Sequence, residues 1–210
     1  MIIIAAWEDI TNVSWAKSPR DAVDPARECE MTIDNDVSLK EPTTPEEVLA
    51  LHKILRSDPQ RYLHIINNWL IENPENAHAL FERHFAWMKT GEPRRALEDL
   101  NRAVELDPDM AGLFSRGLVH RHLGQYEQAL KDFARGEAID SKQWENDVFG
   151  LFYQADTHAR LGDVAAALAY CARLPDDFWT PGIYGAPAGG KADIADKLRR
   201  TAADARGKQV

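Results

Sequence analysis

A ten-residue pattern of small and apolar positions occurs three times along the chain, at residues 91–100, 124–133 and 162–171. Each copy begins with a glycine, has an alanine five positions later, and ends in leucine, phenylalanine or cysteine. This spacing is kept while the polar residues between these positions change. A glycine that ends one helix, a short turn, and an alanine where a second helix approaches closely predict a helical hairpin.

A second stripe at helical spacing precedes each glycine. It holds Leu80, His84 and Trp87 in the first copy, and the same offsets hold Leu113, Gly117, His120 and then Leu151, Ala155, His158. We interpret this stripe as the face that each first helix turns towards its partner helix. The first copy ends at Leu106-Asp107-Pro108, because proline cannot continue a helix.

This arrangement resembles the tetratricopeptide repeat, whose unit of about 34 residues is a pair of antiparallel helices. The resemblance covers roughly residues 76–174 and is strongest over 77–109. The matching positions there are Leu80, Trp87, Gly91, Ala96, Leu100, Ala103 and Pro108. His84 departs from the pattern, since the family usually has a small residue at this position. Residues 110–140 and 148–174 match at fewer positions.

A degenerate fourth unit is predicted over residues 44–75. Thr44-Pro45-Glu46-Glu47 has the composition of a helix start with a capping box, Asp58-Pro59 is the expected turn, and Asn73-Pro74 ends the second helix. One hairpin cannot bury its apolar face alone, so neighbouring hairpins must stack. The predicted fold is therefore an all-α, right-handed solenoid of three clear units and one degenerate N-terminal unit.

The chain ends lack the repeat, and four segments are predicted in total. They are an irregular N-terminal arm (1–43), a helical repeat domain (44–174), a Pro/Gly-rich linker with the aromatics Phe178, Trp179 and Tyr184 (175–190), and a C-terminal capping helix and tail (191–210). Met31 is an alternative start. The terminal helix, with Ile194, Leu198 and Ala202 in one stripe, is expected to cap the last unit.

The composition limits the function classes. A net charge of −9 and a pI near 5.3 oppose nucleic-acid binding. The two cysteines, Cys29 and Cys171, stand far apart, which predicts neither a disulfide framework nor a zinc knuckle. The start MIIIAAW lacks a basic region and is followed by acidic residues, and no stretch reaches the ~20 apolar residues of a membrane helix. We expect a cytoplasmic protein without membrane insertion.

The first helices carry a second face at the spacing i, i+4 and i+7. This face holds Phe81, Phe85 and Met88, and the next units place Phe114, Leu118, Arg121 and then Phe152, Asp156, Ala159 at the same offsets. The resemblance implies that these helices line a concave surface that holds peptides. The predicted groove comprises Phe81, Phe85, Met88, Lys89, Phe114, Leu118, Arg121, His122, Phe152, Asp156 and Arg160.

The predicted partner is another protein, bound through an amphipathic helix or an extended apolar peptide with some acidic residues. Two other interpretations of the phenylalanines stay open. In the first, the phenylalanines pack against the adjacent unit. In the second, the protein's own ends cover the phenylalanines, either through Ile2-Ile3-Ile4 and Trp7 or through Phe178-Trp179. Some members of the family grip chaperone C-terminal carboxylates with Lys and Asn, but the matching positions here are Phe81, Phe85 and Phe114. A chaperone tail is therefore not the expected ligand.

The sequence contains no recognised catalytic motif, and no cofactor or metal is predicted. In the pair His120-x-His122, residues two apart on a helix point about 200° away from each other and cannot share one ion. His120 and His158 are interpreted as packing residues, as is Cys171. Four acidic residues are interpreted as solvated charges on the outer faces of second helices: Asp99, Glu105, Glu127 and Asp132.

The predicted function is a non-catalytic protein interaction module or adaptor. One alternative is a chaperone for secreted or membrane-inserting client proteins. Another is an enzyme with an unrecognised site near residues 175–185.

Overall fold

The structure is a computed structural model that describes residues 41–139, 148–182 and 185–208. Its helices are α1 (Pro45–Ser57), α2 (Pro59–Glu72), α3 (Ala77–Lys89), α4 (Pro93–Leu106), α5 (Met110–His122), α6 (Tyr126–Ile139), α7 (Val148–Arg160), α8 (Val164–Ala172) and α9 (Lys191–Gly207). Two short strands, β1 (Trp179–Thr180) and β2 (Gly189–Gly190), pair antiparallel. The predictions for Ile2-Ile3-Ile4, Trp7, Met31 and Tyr184 lie outside the described residues.

Consecutive helices pack as four hairpins: α1 with α2, α3 with α4, α5 with α6, and α7 with α8. The predicted all-α solenoid of three clear units and one degenerate unit is confirmed. The described helices include none with the length and apolar composition needed to cross a membrane.

The turn of each clear unit has the predicted glycine geometry. Gly91, Gly124 and Gly162 have φ of 78°, 75° and 84°, which lies in the left-handed region that only glycine adopts without strain. The alanine five positions later, at 96, 129 and 167, is fully buried in each unit. The small residue therefore lies where the second helix approaches the first, as the spacing predicts.

The degenerate unit also begins as predicted. The hydroxyl of Thr44 accepts a hydrogen bond from the backbone N–H of Glu47 at 3.2 Å, and the Glu47 carboxylate accepts one from the backbone N–H of Thr44 at 3.0 Å. This is the reciprocal capping box. The carboxylate of Asp58 caps α2 by accepting from the backbone N–H of Arg61 at 2.9 Å. The caps of α1 and α2 thus define this hairpin, although its sequence matches few positions of the family pattern.

At one contact between the two helices of a hairpin, the sizes of the two facing side chains differ from unit to unit. A Cβ atom added at Gly117 would lie 2.5 Å from Cε1 of Phe133, so only glycine fits beside this ring. The first clear unit has His84 and Leu100 at the corresponding positions. His84 is buried, and its Nδ1 contacts the carbonyl oxygen of Phe81. Burial lowers the pKa of this imidazole from 6.5 to about 4.

The segment after the last hairpin packs against the solenoid. Phe178 is buried, with its ring centroid 6.2 Å from that of Phe149 and 5.6 Å from that of Phe152. The adjacent Trp179 of β1 is 65% exposed. Within residues 175–190, predicted as a linker, the described part therefore contains both strands and a core residue.

The C-terminal helix covers the end of the solenoid. Ile194, Leu198 and Ala202 of α9 are fully buried, and the helix packs against α7 and α8. The predicted capping helix is confirmed. It supplies the apolar face that the last hairpin would otherwise expose.

Candidate functional site

A cleft of about 270 Å³ opens between the first helices of three successive hairpins, α1, α3 and α5. We call it the α3 cleft. Its apolar wall contains Val48 of α1, Phe81 and Phe85 of α3, and Ala111 of α5. Its polar lining contains His52, His78, Glu82, Asp107 and Asp109. The cleft exists because hairpins stack side by side, which brings together residues that lie far apart in the sequence.

The aromatic wall has one buried and one accessible ring. Phe85 is buried, and its ring lies edge-on to that of Phe81 with the centroids 5.4 Å apart. His52 of α1 lies 6.3 Å from Phe85 in a second edge-on contact. Phe81 is only half-buried. Of the two phenylalanines, Phe81 therefore offers a ligand the larger accessible surface.

Glu82 is a buried carboxylate in the lining of the α3 cleft, with a residue exposure of 6%. Its Oε2 lies 3.2 Å from Nε2 of His52 and accepts a hydrogen bond from the Tyr62 hydroxyl. Its Oε1 lies 3.6 Å from Nε2 of His78. Burial alone raises the pKa of Glu82, but the hydrogen bonds and attraction from these neighbours lower it below its usual value. Glu82 is therefore held in its ionised form.

The structure corrects the predicted continuous row of accessible aromatics. Phe114 is buried against Phe133 and Tyr153, at centroid distances of 5.7 and 6.1 Å. Phe152 is fully buried between Tyr153 and Phe178. Phe114 thus packs within its own hairpin and against the next unit, whereas Phe152 is covered by the segment after the repeats. Phe178 shows that one chain end covers part of the predicted groove. The phenylalanine spacing could not distinguish these cases, since every first helix also needs apolar residues for the next unit.

Three of the remaining groove residues have limited exposure. Leu118 is buried, and Met88 is half-buried against the cluster that contains Leu100 and Val119. Lys89 is half-buried. Its burial, and to a smaller extent repulsion from Arg56, lowers the pKa of its ammonium group. His122 is exposed. Peptide binding by Phe81, Phe85, Met88, Lys89 and His122 stays a prediction.

Two arginines predicted to border the groove are joined by one buried carboxylate. Oδ2 of Asp156 accepts hydrogen bonds from Nε of Arg121 at 2.9 Å and from Nε of Arg160 at 2.7 Å. Asp156 and Arg121 are both buried. Arg160 also donates from Nη2 to the backbone oxygen of Gly185 at 2.5 Å. The positive border expected from the sequence is therefore corrected, because Arg121 lies inside the fold and Arg160 is held by Asp156.

Two of the four acidic residues predicted to be solvated are buried. Asp99 accepts hydrogen bonds from Nε and Nη2 of Arg83 at 2.8 and 2.6 Å, and from Nε1 of Trp87 at 2.8 Å. Asp132 pairs in the same way with Arg116. The sequence contains a signal for these pairs, since an arginine is followed by an aspartate 16 positions later in both units. The other two, Glu105 and Glu127, are exposed as predicted.

The histidines of the repeat stripe lie beside second helices. His158 stacks on Tyr170 at a centroid distance of 5.4 Å and an interplanar angle of 17°, which confirms its predicted packing role. His120 is half-buried, and its Nδ1 lies 2.6 Å from the side-chain oxygen of Gln125. Cys171 is buried, which raises the pKa of its thiol and fits a packing role. In the described part of the chain, no three His, Cys, Asp or Glu side chains are arranged to hold a metal ion.

Comparison with known proteins agrees with this architecture. A family model described as tetratricopeptide repeat matches residues 88–143. Tetratricopeptide repeat protein 36 of Xenopus tropicalis is 42% identical over 73 residues, which cover 32% of this chain and 36% of that protein. An uncharacterized protein of Methanocaldococcus jannaschii is 34% identical over 70 residues, which cover 33% of this chain and 81% of that protein. The chain thus spans about a third of the first relative and most of the second.

Two solved structures share the fold. Both are crystal structures of MamA, with TM-scores of 0.56 and 0.55 at 15% and 16% sequence identity. The first comparison covers 80% of this chain and 98% of the other, and the second covers 75% and 87%. The family-model match and the sequence relatives, together with the repeat geometry, identify the chain as a tetratricopeptide repeat protein, whereas the two structures show the fold alone.

Proposed function

We propose that this protein is a non-catalytic adaptor, located in the cytoplasm, that binds a peptide or amphipathic helix of another protein along the first helices of its hairpins. Tetratricopeptide repeat proteins generally bind other proteins. The observation that carries the proposal for this chain is the α3 cleft, a recess between three first helices with a half-exposed phenylalanine in its wall.

The size of the cleft supports a side-chain anchor rather than a whole small-molecule ligand. Its volume of about 270 Å³ is below the range of roughly 300–1,000 Å³ that is typical of small-molecule pockets. Anchor residues of protein partners insert into recesses of this kind and contribute much of the binding energy. The rest of the partner would lie over neighbouring first helices, where Met88 and Lys89 are half-buried and His122 is exposed.

The test is capture of a partner from the native host by the full chain, followed by binding measurements with the purified partner. We expect Phe81→Ala to weaken this binding at least about tenfold, since it removes the accessible wall of the α3 cleft. Ile71→Ala is the matched control, because Ile71 is an apolar residue of the second helix α2 with 76% exposure. Both variants should keep the helical content of the wild type.

Equal partner binding by Phe81→Ala and the wild type would contradict the proposal. Loss of binding in Ile71→Ala with retention in Phe81→Ala would place the interaction on the second helices instead.

A further inference from the structure

Carboxylates outnumber basic side chains in the lining of the α3 cleft. Three carboxylates line it, from Glu82, Asp107 and Asp109. All lining residues lie in the described part of the chain. They include no lysine or arginine, and the basic residues among them are His52 and His78. This is an electrostatic surface for a cation.

The buried carboxylate of the cleft differs from the other buried carboxylates described above. Asp99, Asp132 and Asp156 each accept hydrogen bonds from at least one arginine guanidinium. The contacts of Glu82 are two imidazoles and the phenol of Tyr62. Arginine thus compensates these three buried acids, whereas the contacts of the acid beside the cleft include no arginine.

Two further carboxylates lie in the turn between α4 and α5. Asp107 and Asp109 are both exposed and flank Pro108. Oδ1 of Asp109 accepts a hydrogen bond from the backbone N–H of Gly112 at 2.6 Å and caps α5. The cap fixes this carboxylate beside the recess. A cation that enters the cleft would therefore meet negative charge both at the exposed turn and at Glu82.

We propose that the α3 cleft binds a lysine or arginine side chain of the partner, presented next to an apolar residue. The methylene groups of such a side chain pack along Phe81 and Val48, while its charged end lies among the three carboxylates. The face of Phe81 adds a cation–π contribution. This inference rests on the proposed function and reverses the acidic partner expected from the sequence, since Arg121 and Arg160 are bound to Asp156.

The experiment selects a displayed library of random 12-residue peptides on the full-length chain and measures the enriched peptides as synthetic probes. The test variant combines Asp107→Asn with Asp109→Asn. It removes two charges of the cleft, and asparagine keeps the ability to cap α5. The matched control combines Glu98→Gln with Glu127→Gln, which removes the same charge from exposed positions on second helices.

Enriched peptides are expected to carry lysine or arginine beside an apolar residue. They should bind the test variant about fivefold more weakly than the wild type at low salt, bind the control like the wild type, and lose the difference at high salt. Replacing the peptide's lysine by norleucine, or its arginine by citrulline, should weaken binding to the wild type by a similar factor.

Enrichment of aspartate or glutamate, or equal binding to the test variant and the wild type, would overturn the inference. The proposed function would then stand if the same peptides lost binding to Phe81→Ala. Absence of any enriched peptide, or full binding to Phe81→Ala, would overturn both.

Discussion

The carboxylate of Asp132 accepts two parallel hydrogen bonds from the guanidinium of Arg116, at 2.7 Å from Nε and 2.6 Å from Nη2. This pair joins α5 to α6, and Arg83 and Asp99 join α3 to α4 in the same way. Two units therefore share an ion pair as well as their glycine and alanine positions. The third unit has Gln154 and Tyr170 at the corresponding positions, and its hairpin is joined by the stacking of His158 on Tyr170.

Removal of Asp132 from this pair should destabilise the protein strongly. The side chains of Arg116 and Asp132 are 13% and 6% exposed, so Asp132→Ala leaves a guanidinium with little solvent. We expect a loss of about 3 kcal/mol in the free energy of unfolding, measured by urea denaturation followed by circular dichroism. Glu127→Ala on the same helix is the control and should cause little change. Equal losses of unfolding free energy in both variants would show that the Arg116–Asp132 pair makes no specific contribution to stability.

Phe114→Ala should affect stability much more than Phe81→Ala. Phe114 is buried against Phe133 and Tyr153, so truncation creates a cavity and should cost about 3 kcal/mol. Phe81 is half-buried beside an open cleft and should cost about 1 kcal/mol. Urea denaturation of both variants checks the order. The reverse order would mean that Phe81, rather than Phe114, is the packing residue.

The segment after the repeats contains a neighbouring buried and exposed aromatic pair. We expect Phe178→Ala to lower the free energy of unfolding by about 3 kcal/mol, since its ring packs on Phe149 and Phe152. Trp179→Ala should leave stability nearly unchanged, because the indole is 65% exposed. Thermal unfolding of the two variants distinguishes them. Similar melting temperatures would contradict the packing of this segment on α7.

The buried His84 should make stability depend on pH. Its pKa is about 4 in the folded protein and near 6.5 when unfolded, so between these values the unfolded chain binds the extra proton. Stability should therefore be complete above pH 6.5 and fall as the pH drops towards 4, by about 2 kcal/mol from pH 7.5 to pH 5 for this residue. Urea denaturation across this range measures the slope.

His84→Ala is the variant that isolates this residue, since Ala155 occupies the corresponding position of the third clear unit. Its overall stability will fall because of the cavity, but its dependence on pH should be shallower than that of the wild type. Partial burial also lowers the pKa of His158, so part of the slope should remain. An unchanged slope would show that His84 does not titrate in this way.

The hairpin boundaries were predictable because they depend on local geometry. Left-handed backbone at Gly91, Gly124 and Gly162 and the capping box of Thr44 and Glu47 involve residues within one turn of each other. The α3 cleft was predictable only in part. Phe81 and Phe85 were found from their spacing on one helix, whereas the Glu82 contacts join residues 20 and 30 positions apart.

The order of amino acids alone is enough to give the number of clear repeats, their turns and the family, since a fixed spacing of small and apolar residues leaves one way for paired helices to approach. Which charged and aromatic residues remain accessible depends instead on how the folded helices pack. Asp99, Arg121 and Phe152 are buried because a partner helix, the next unit or the segment after the repeats lies over them. The identity of that covering element depends on stacking between distant parts of the chain, and the pattern along one helix does not record it.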